Sequence, residues 1–203
     1  MSFYRERVLP HLVNLSMKQA NLEPYRRRVV GAAHGRVLEI GVGSGINLGL
    51  YTSAAHVVGL DPSAKLLSMA RAAAGDRPRS IELVEGTAEA IPLPARSVDT
   101  VVTTWTLCSI PDLPKALNEI RRVLKPEGRL LFAEHGLAPE PNVVRWQNRL
   151  TPLWKQIGGG CHLNRPIDKM IGSAGFRLTR LETGYTKGPR PMTFMYEGEA
   201  QPR

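Results

Sequence analysis

The sequence predicts an α/β protein: one mostly parallel, seven-stranded sheet with helices on both faces and a helical segment ahead of it. Three features predict this. Five short apolar runs, spread over residues 36–133, sit beside Gly or Asp or are rich in β-branched residues. Helix-like stretches separate several of them, the alternation that builds a parallel sheet covered on both faces. After the fifth run the rhythm breaks, and two further strand-like runs follow.

Residues 2–33 read as helical. Val8, Leu9, Leu12, Val13 and Leu15 give an apolar face, with Pro10 expected to kink it. Pro24 suits the first turn of a second helix through Arg26, Arg27 and Val30. The strands are expected at Arg36–Ile40, ending on Gly41, and at His56–Leu60, ending on Asp61. They continue at Ile81–Val84, Val98–Thr104 and Arg129–Ala133. Helices are expected over Ala64–Ala74 and Leu113–Leu124, the second opened by Asp112 as N-cap and stopped at Lys125-Pro126. Residues 139–160 lack a strand pattern, and Trp146, Leu150, Leu153 and Trp154 suggest an inserted helical segment. Arg165–Ala174 reads as a helix. Phe176–Thr183 and Met192–Tyr196 read as a last, antiparallel pair of strands.

Composition narrows the class. A chain of 203 residues can build one sizeable core and is short for two domains. With 42% hydrophobic and 22% charged residues it is neither disordered nor fibrous. The formal charge of +9 raises the question of anionic partners, but the cations are dispersed apart from Arg26–Arg28 and Arg121-Arg122. No RNA-binding aromatic signature accompanies them, so no nucleic-acid partner is expected. Cys108 and Cys161 make no disulfide framework, and neither a secretory signal nor a membrane-spanning run is evident. The expected location is the cytoplasm. The basic surface and amphipathic N-terminus would allow peripheral, reversible attachment to the inner face of an anionic membrane.

The chemistry begins at Glu39-Ile40-Gly41-Val42-Gly43-Ser44-Gly45, read as a strand-to-helix turn. Glycines there permit a tight turn and close approach of a ligand. Asp61 ends the next strand, 20 positions after Gly41, where a carboxylate can accept both ribose hydroxyls of an adenosine cofactor. The dinucleotide fingerprint is G-x-G-x-x-G, which sets a pyrophosphate on a helix N-terminus. Here the spacing is G-x-G-x-G, with Ile46 at the third dinucleotide position.

This loop resembles the first motif of the class I S-adenosylmethionine (SAM) methyltransferases, which have a Rossmann-like fold. Val58–Ser63 is similar to their second motif, and Gly86–Leu93 to the adenine-side loop of the methyltransferase-11 subgroup. Val98–Val102 and Arg122–Gly128 resemble the fourth-strand motif and the turn before strand five. The resemblance implies that SAM is the cofactor. It implies Gly41 and Gly43 beneath its methionine and ribose, Glu39 near its ammonium, Asp61 on the ribose, the Ala88 N–H at the adenine and Thr104 at the methionine end. Gly45, Pro62, Thr87 and Glu89 complete the implied contacts, although the subgroup often has Asp where Thr87 stands. The organisation that follows is a single domain over 1–203: a helical segment at 1–33, a cofactor-binding core at 36–135 and a substrate side at 136–203.

A narrower resemblance covers the second half. Thr106–Ile110, Phe132–His135, Trp146-Gln147 and Gly159–Arg165 are similar to small methyltransferases that include the membrane-associated mammalian alkyl-thiol enzymes and bacterial relatives labelled phospholipid methyltransferases. It implies a small, fairly apolar acceptor, with thiol sulfur ahead of a phosphatidylethanolamine or quinone-type acceptor. A regulatory domain that binds SAM without turnover is the reading outside catalysis. His135, following strand five, and Glu134 are the candidate catalytic residues, because a thiol benefits from a nearby base. Cys108, Cys161, His162 and Arg165 are candidate substrate contacts. No metal is expected, since adjacent Cys161 and His162 lack ligand spacing.

Overall fold

The computed structural model describes residues 8–53, 55–75 and 81–203. Its sheet has seven strands in the order β3-β2-β1-β4-β5-β7-β6. They are β1 (Arg36–Ile40), β2 (His56–Asp61), β3 (Ile81–Glu85), β4 (Val98–Thr104), β5 (Leu124–His135), β6 (Phe176–Tyr185) and β7 (Phe194–Pro202). The first five are parallel, and β7 lies antiparallel between β5 and β6. The order reverses direction between β1 and β4, so their C-terminal ends open a crevice, the usual ligand position in such sheets.

Among the described residues, seven α-helices accompany the sheet: α1 (Leu9–Met17), α2 (Glu23–Gly31), α3 (Ala64–Ala74), α4 (Leu113–Val123), α5 (Pro141–Ile157), α6 (Ile167–Ser173) and α7 (Arg190–Thr193). The α3 N-cap is Ser63, whose hydroxyl accepts from the Leu66 N–H, and that of α4 is Asp112, which accepts from Lys115. α4 shows why its residues are helical. Leu113, Ala116, Leu117, Ile120 and Val123 recur at helical spacing and are all buried against the sheet. Two large bodies of apolar side chains are buried. One includes Leu38, Phe132, Phe176 and the buried side of α4, and the other is built around Val30, Leu48, Tyr51 and Leu67.

The structure revises the expected elements in four places. Pro10 stands in the first turn of α1, where its missing N–H costs nothing, so it starts the helix instead of kinking it. The part of that expected helix covering residues 2–7 lies outside the described residues. The segment after β1 forms successive turns, Leu48 N–H to Gly45 and Leu50 N–H to Asn47, in place of a helix. β5 begins at Leu124, so Lys125-Pro126 lies in a strand interrupted by a bulge opposite Val98–Thr100. β7 runs to Pro202, and its polar residues are paired, Glu197 with Arg28 of α2 and Arg180 of β6, and Glu199 with Arg129 of β5.

Candidate functional site

The glycine loop leaves β1 at the crevice. Gly41 and Gly43 have φ of 71° and 56°, in the left-handed region that favours glycine. A side chain at Gly41 would strike Thr106. A Cβ at Gly43 would find nothing nearer than the Gly41 carbonyl at 3.8 Å, so the space above it is open. Gly45 has a packing role. A Cβ there would lie 2.8 Å from Leu48 and 3.0 Å from the Ala70 backbone, so this glycine lets α3 pack against the loop.

Asp61 faces this cradle from the end of β2. One carboxylate oxygen accepts the Gly43 N–H at 3.0 Å, and the other accepts the Ser63 N–H at 2.8 Å. Burial pushes its pKa up, opposed by these two bonds. The carboxylate is thus fixed beside the loop with lone pairs left for ribose hydroxyls. An open cradle over Gly43 and a fixed acid at its rim fit an adenosine cofactor such as SAM. Removing the acid should weaken SAM by about tenfold to a hundredfold, since a hydrogen bond to a charged group contributes roughly 1.5–3 kcal/mol. Calorimetry on folded Asp61→Ala checks this, and unchanged affinity would remove Asp61 from ribose binding.

Glu39, near the end of β1, is buried. It is 1% exposed, accepts from Asn47 at 2.7 Å and from the Tyr51 hydroxyl at 2.8 Å. Asn47 also donates to Thr104 Oγ1 and accepts from buried Arg26, each at 3.0 Å. The Arg26 guanidinium stacks 4.6 Å over Trp105, itself at φ 52°. This network explains the turns after β1: Asn47 and Tyr51 must both point inward to Glu39. Asn47, Tyr51 and Trp105 carry no expectation from the sequence, and Arg26 enters it only as part of the second helix and of a basic cluster. Asn14 of α1 meets Ser44 of the loop at 2.6 Å, bringing α1 against the cradle.

Burial raises the Glu39 pKa from 4.5 to about 7, outweighing the bonds from Tyr51 and Asn47. Folded Glu39 therefore holds its proton where the unfolded chain has lost it. Full stability is present below the unfolded pKa, and it falls as pH rises from about 4.5 to 7. Urea unfolding of wild type and Glu39→Gln should diverge by about 1–3 kcal/mol across that window, with wild type losing more. A constant difference between the two proteins would refute the shift.

The adenine-side loop is more open. Ala88 is buried, Thr87 and Pro62 are exposed, and Glu89 accepts a long 3.4 Å bond from the Asp112 N–H. Glu89 is therefore engaged with the start of α4.

At the C-terminal end of β5, Glu134 and His135 point to opposite faces, as successive strand residues do. Glu134 is fully buried and accepts the Thr106 N–H at 3.0 Å, which ties down the loop after β4. Burial lifts its pKa to about 7 against the backbone N–H groups of Thr106 and Leu107. That geometry makes it a loop anchor and turns it away from the acceptor side. His135 faces the other way, with Nε2 3.1 Å from Cys161 Sγ. Trp154 Nε1 donates to the same sulfur at 3.3 Å. Cys108, Cys161 and Leu163 form a buried cluster beneath Leu150, Trp154 and Met192.

The other two substrate candidates serve the backbone. His162 Nδ1 lies 3.1 Å from the Cys108 carbonyl. Arg165 is buried and donates to the Leu107 and Ile110 carbonyls, so its guanidinium holds the loop between β4 and α4. Gln147, fully buried, accepts from the Ala138 N–H and donates to the Gly136 and Pro191 carbonyls, fastening α5 over the acceptor side. Its polar type in a helix gave no sign of this burial.

Residues 38–132 match the family of methyltransferase domains. A thiol S-methyltransferase of Rattus norvegicus is 37% identical over 150 residues, covering 72% of this chain and 62% of that protein. A phosphatidylethanolamine N-methyltransferase of Cereibacter sphaeroides is 32% identical over 151 residues, covering 68% of this chain and 74% of that protein. A solved SAM-dependent methyltransferase of Mesorhizobium loti superposes with a TM-score of 0.68 at 19% identity, covering 91% of this chain and 99% of that one. The chain belongs to the class I SAM-dependent methyltransferases, in the methyltransferase-11 group. Its match to the rat protein spans less than two thirds of that relative.

Proposed function

We propose that the protein transfers the methyl group of SAM to the sulfur of a small, apolar thiol. The observation that carries this reading is the acceptor side itself. Two sulfurs and the His135 imidazole lie in a wall of Leu150, Trp154, Leu163 and Met192, beside the end of β5. Soft, polarisable side chains of this kind suit a sulfur acceptor. The rat thiol methyltransferase supports the same choice. SAM supplies an already activated methyl group on a sulfonium. The protein's own task is alignment and exclusion of water. The Gly43 cradle and Asp61 bind and orient the nucleoside end. Arg165 and Glu134 fix the loop after β4 that separates cradle and acceptor side. Mass spectrometry of products from a mixture of alkyl thiols, phosphatidylethanolamine and quinols tests the assignment. Methylated thiols alone are expected, and a methylated lipid amine without thiol product would replace it. SAM binding with no product in any arm would favour the regulatory reading.

The acceptor class also bears on location. No helix among the described residues is long and apolar enough to cross a membrane. Yet Leu12 and Leu15 of α1 are 49% and 70% exposed, and Trp146, Leu153 and Ile157 of α5 are 56%, 62% and 49% exposed. Each set forms one stripe at helical spacing. The helices approach where Leu9 lies against Gly159. Arg145, Arg149 and Lys155 are also on α5, and the whole chain carries +9. This combination suits reversible attachment to an anionic bilayer and access to lipophilic acceptors. The protein should cosediment with anionic liposomes at low salt and be partly released at high salt. Absence from the pellet in both conditions would exclude this attachment.

A further inference from the structure

We propose that Cys108, His135 and Cys161 form a binding site for a thiophilic divalent metal, Zn2+ by preference, with a fourth position open to the acceptor sulfur. The metal's part in activating the acceptor rests on the thiol reading above; its binding does not.

The three residues come from the loop after β4, the end of β5 and the loop after α5. Their ligand atoms all lie within 4.8 Å of one another, and all three residues are buried. Cys161 Sγ and His135 Nε2 are 3.1 Å apart. A tetrahedron drawn with Zn–S of about 2.3 Å and Zn–N of about 2.0 Å has edges of roughly 3.5–3.8 Å. The observed spacing brackets those edges, so side-chain rotation alone can seat the ion. Two thiolates and an imidazole are also the donors that catalytic zinc takes when one position stays free for a ligand.

His135 is 8% exposed, and its Nε2, the nitrogen that faces Cys161 Sγ, is the atom an ion would take. Nδ1 has no hydrogen-bond partner among the described residues, so no bond there holds the ring against the small rotation that seats the ion. The surroundings also balance the charge. A dication with two thiolates is neutral, and the charge of a third, acceptor thiolate would face the buried Arg165 guanidinium. The Trp154 N–H directed at Cys161 Sγ supports a thiolate from outside the ligand set, as such outer groups do in zinc sites.

The chemistry then follows from charge. A thiol that coordinates such an ion is deprotonated. The acceptor releases its proton to solvent on binding. Its sulfur lone pair forms the new C–S bond as the methyl group's bond to the sulfonium breaks. That electron pair stays on the departing neutral thioether, and nothing is oxidised or reduced. The methylated product has lost its anionic charge, binds the ion weakly and leaves.

The test uses the full chain, purified under reducing conditions, loaded with Zn2+ and freed of loose metal by passage over a chelating resin. Elemental analysis should find close to one Zn2+ per chain, and Co2+ in its place should give the visible bands of a tetrahedral, thiolate-ligated ion. Cys108→Ser and Cys161→Ser should each weaken Zn2+, measured by chelator competition, by more than the roughly 10–100-fold that loss of an outer group costs. SAM affinity confirms that each variant is folded. Reduced wild type that takes up no Zn2+, or variants that bind it as tightly, would overturn the site. Cysteine-dependent zinc binding in a protein that methylates no thiol would support the site and sink the thiol reading. Undiminished thiol methylation by the metal-free protein would keep that reading and overturn the metal's role in the reaction.

Discussion

Gly43→Val should abolish detectable SAM binding while the chain still folds. At φ 56° a β-branched residue is strained, and the left-handed conformation costs roughly 1–2 kcal/mol for a residue with a Cβ. That cost alone leaves most domains folded. The free protein offers the new side chain room, since nothing lies within 3.8 Å of the added Cβ. The same room is where the cofactor must come close to the backbone. The valine therefore competes with SAM more than with the protein itself. Calorimetry should show no heat of binding, alongside a circular dichroism spectrum like that of wild type. Normal SAM affinity in this variant would show that the loop is only a turn. Gly45→Val is the informative comparison, because its clash is with Leu48 and Ala70 and should appear first as lost stability.

The largest effect on stability is expected at Arg165. Its guanidinium is 8% exposed and donates to the Leu107 and Ile110 carbonyls. Arg165→Ala leaves both carbonyls without their donor in a buried place, and each such loss costs roughly 1–3 kcal/mol. Urea unfolding should report a loss of about 2–5 kcal/mol in all. Arg165→Lys should recover only part of it, since an ammonium on a flexible stem cannot reproduce the planar fork. His162→Ala, which gives up one bond at a partly exposed position, should stay near wild type. A folded Arg165→Ala within about 0.5 kcal/mol of wild type would show that the loop after β4 is held by other means.

The contrast between Arg165 and Gly43 marks what the sequence could reveal. Gly41, Gly43 and Asp61 were legible because the fold forces their meeting: adjacent parallel strands end side by side. β1, β2 and β4 were legible as largely buried runs of Val, Ile, Leu and Thr, and β3 as a short apolar run ahead of Gly86. The acceptor side is assembled from three distant stretches, and chain adjacency misleads there. Cys161 stands next to His162 in the chain, yet its sulfur meets His135, 26 positions away. Glu134 is next to His135 but on the opposite face. The turns after β1 were read as a helix because nothing local shows that Asn47 and Tyr51 both serve Glu39. The end of β7 lay beyond the expected strand, and there Arg28, Arg129 and Arg180 meet its glutamates.

The strand order leaves β3 and β6 at the two rims of the sheet. A rim strand offers unpaired N–H and carbonyl groups to any strand that comes near, including one from another molecule. β6 meets this hazard with Arg177, Arg180 and Glu182, spaced along its exposed length. β3 carries Glu82 and Glu85 among its apolar Ile81, Leu83 and Val84, and both glutamates are exposed. These charges act as gatekeepers against edge-to-edge growth. Colloidal behaviour of the protein at high concentration is thereby tied to five side chains far from the crevice, and salt that screens them would favour clumping without touching the fold.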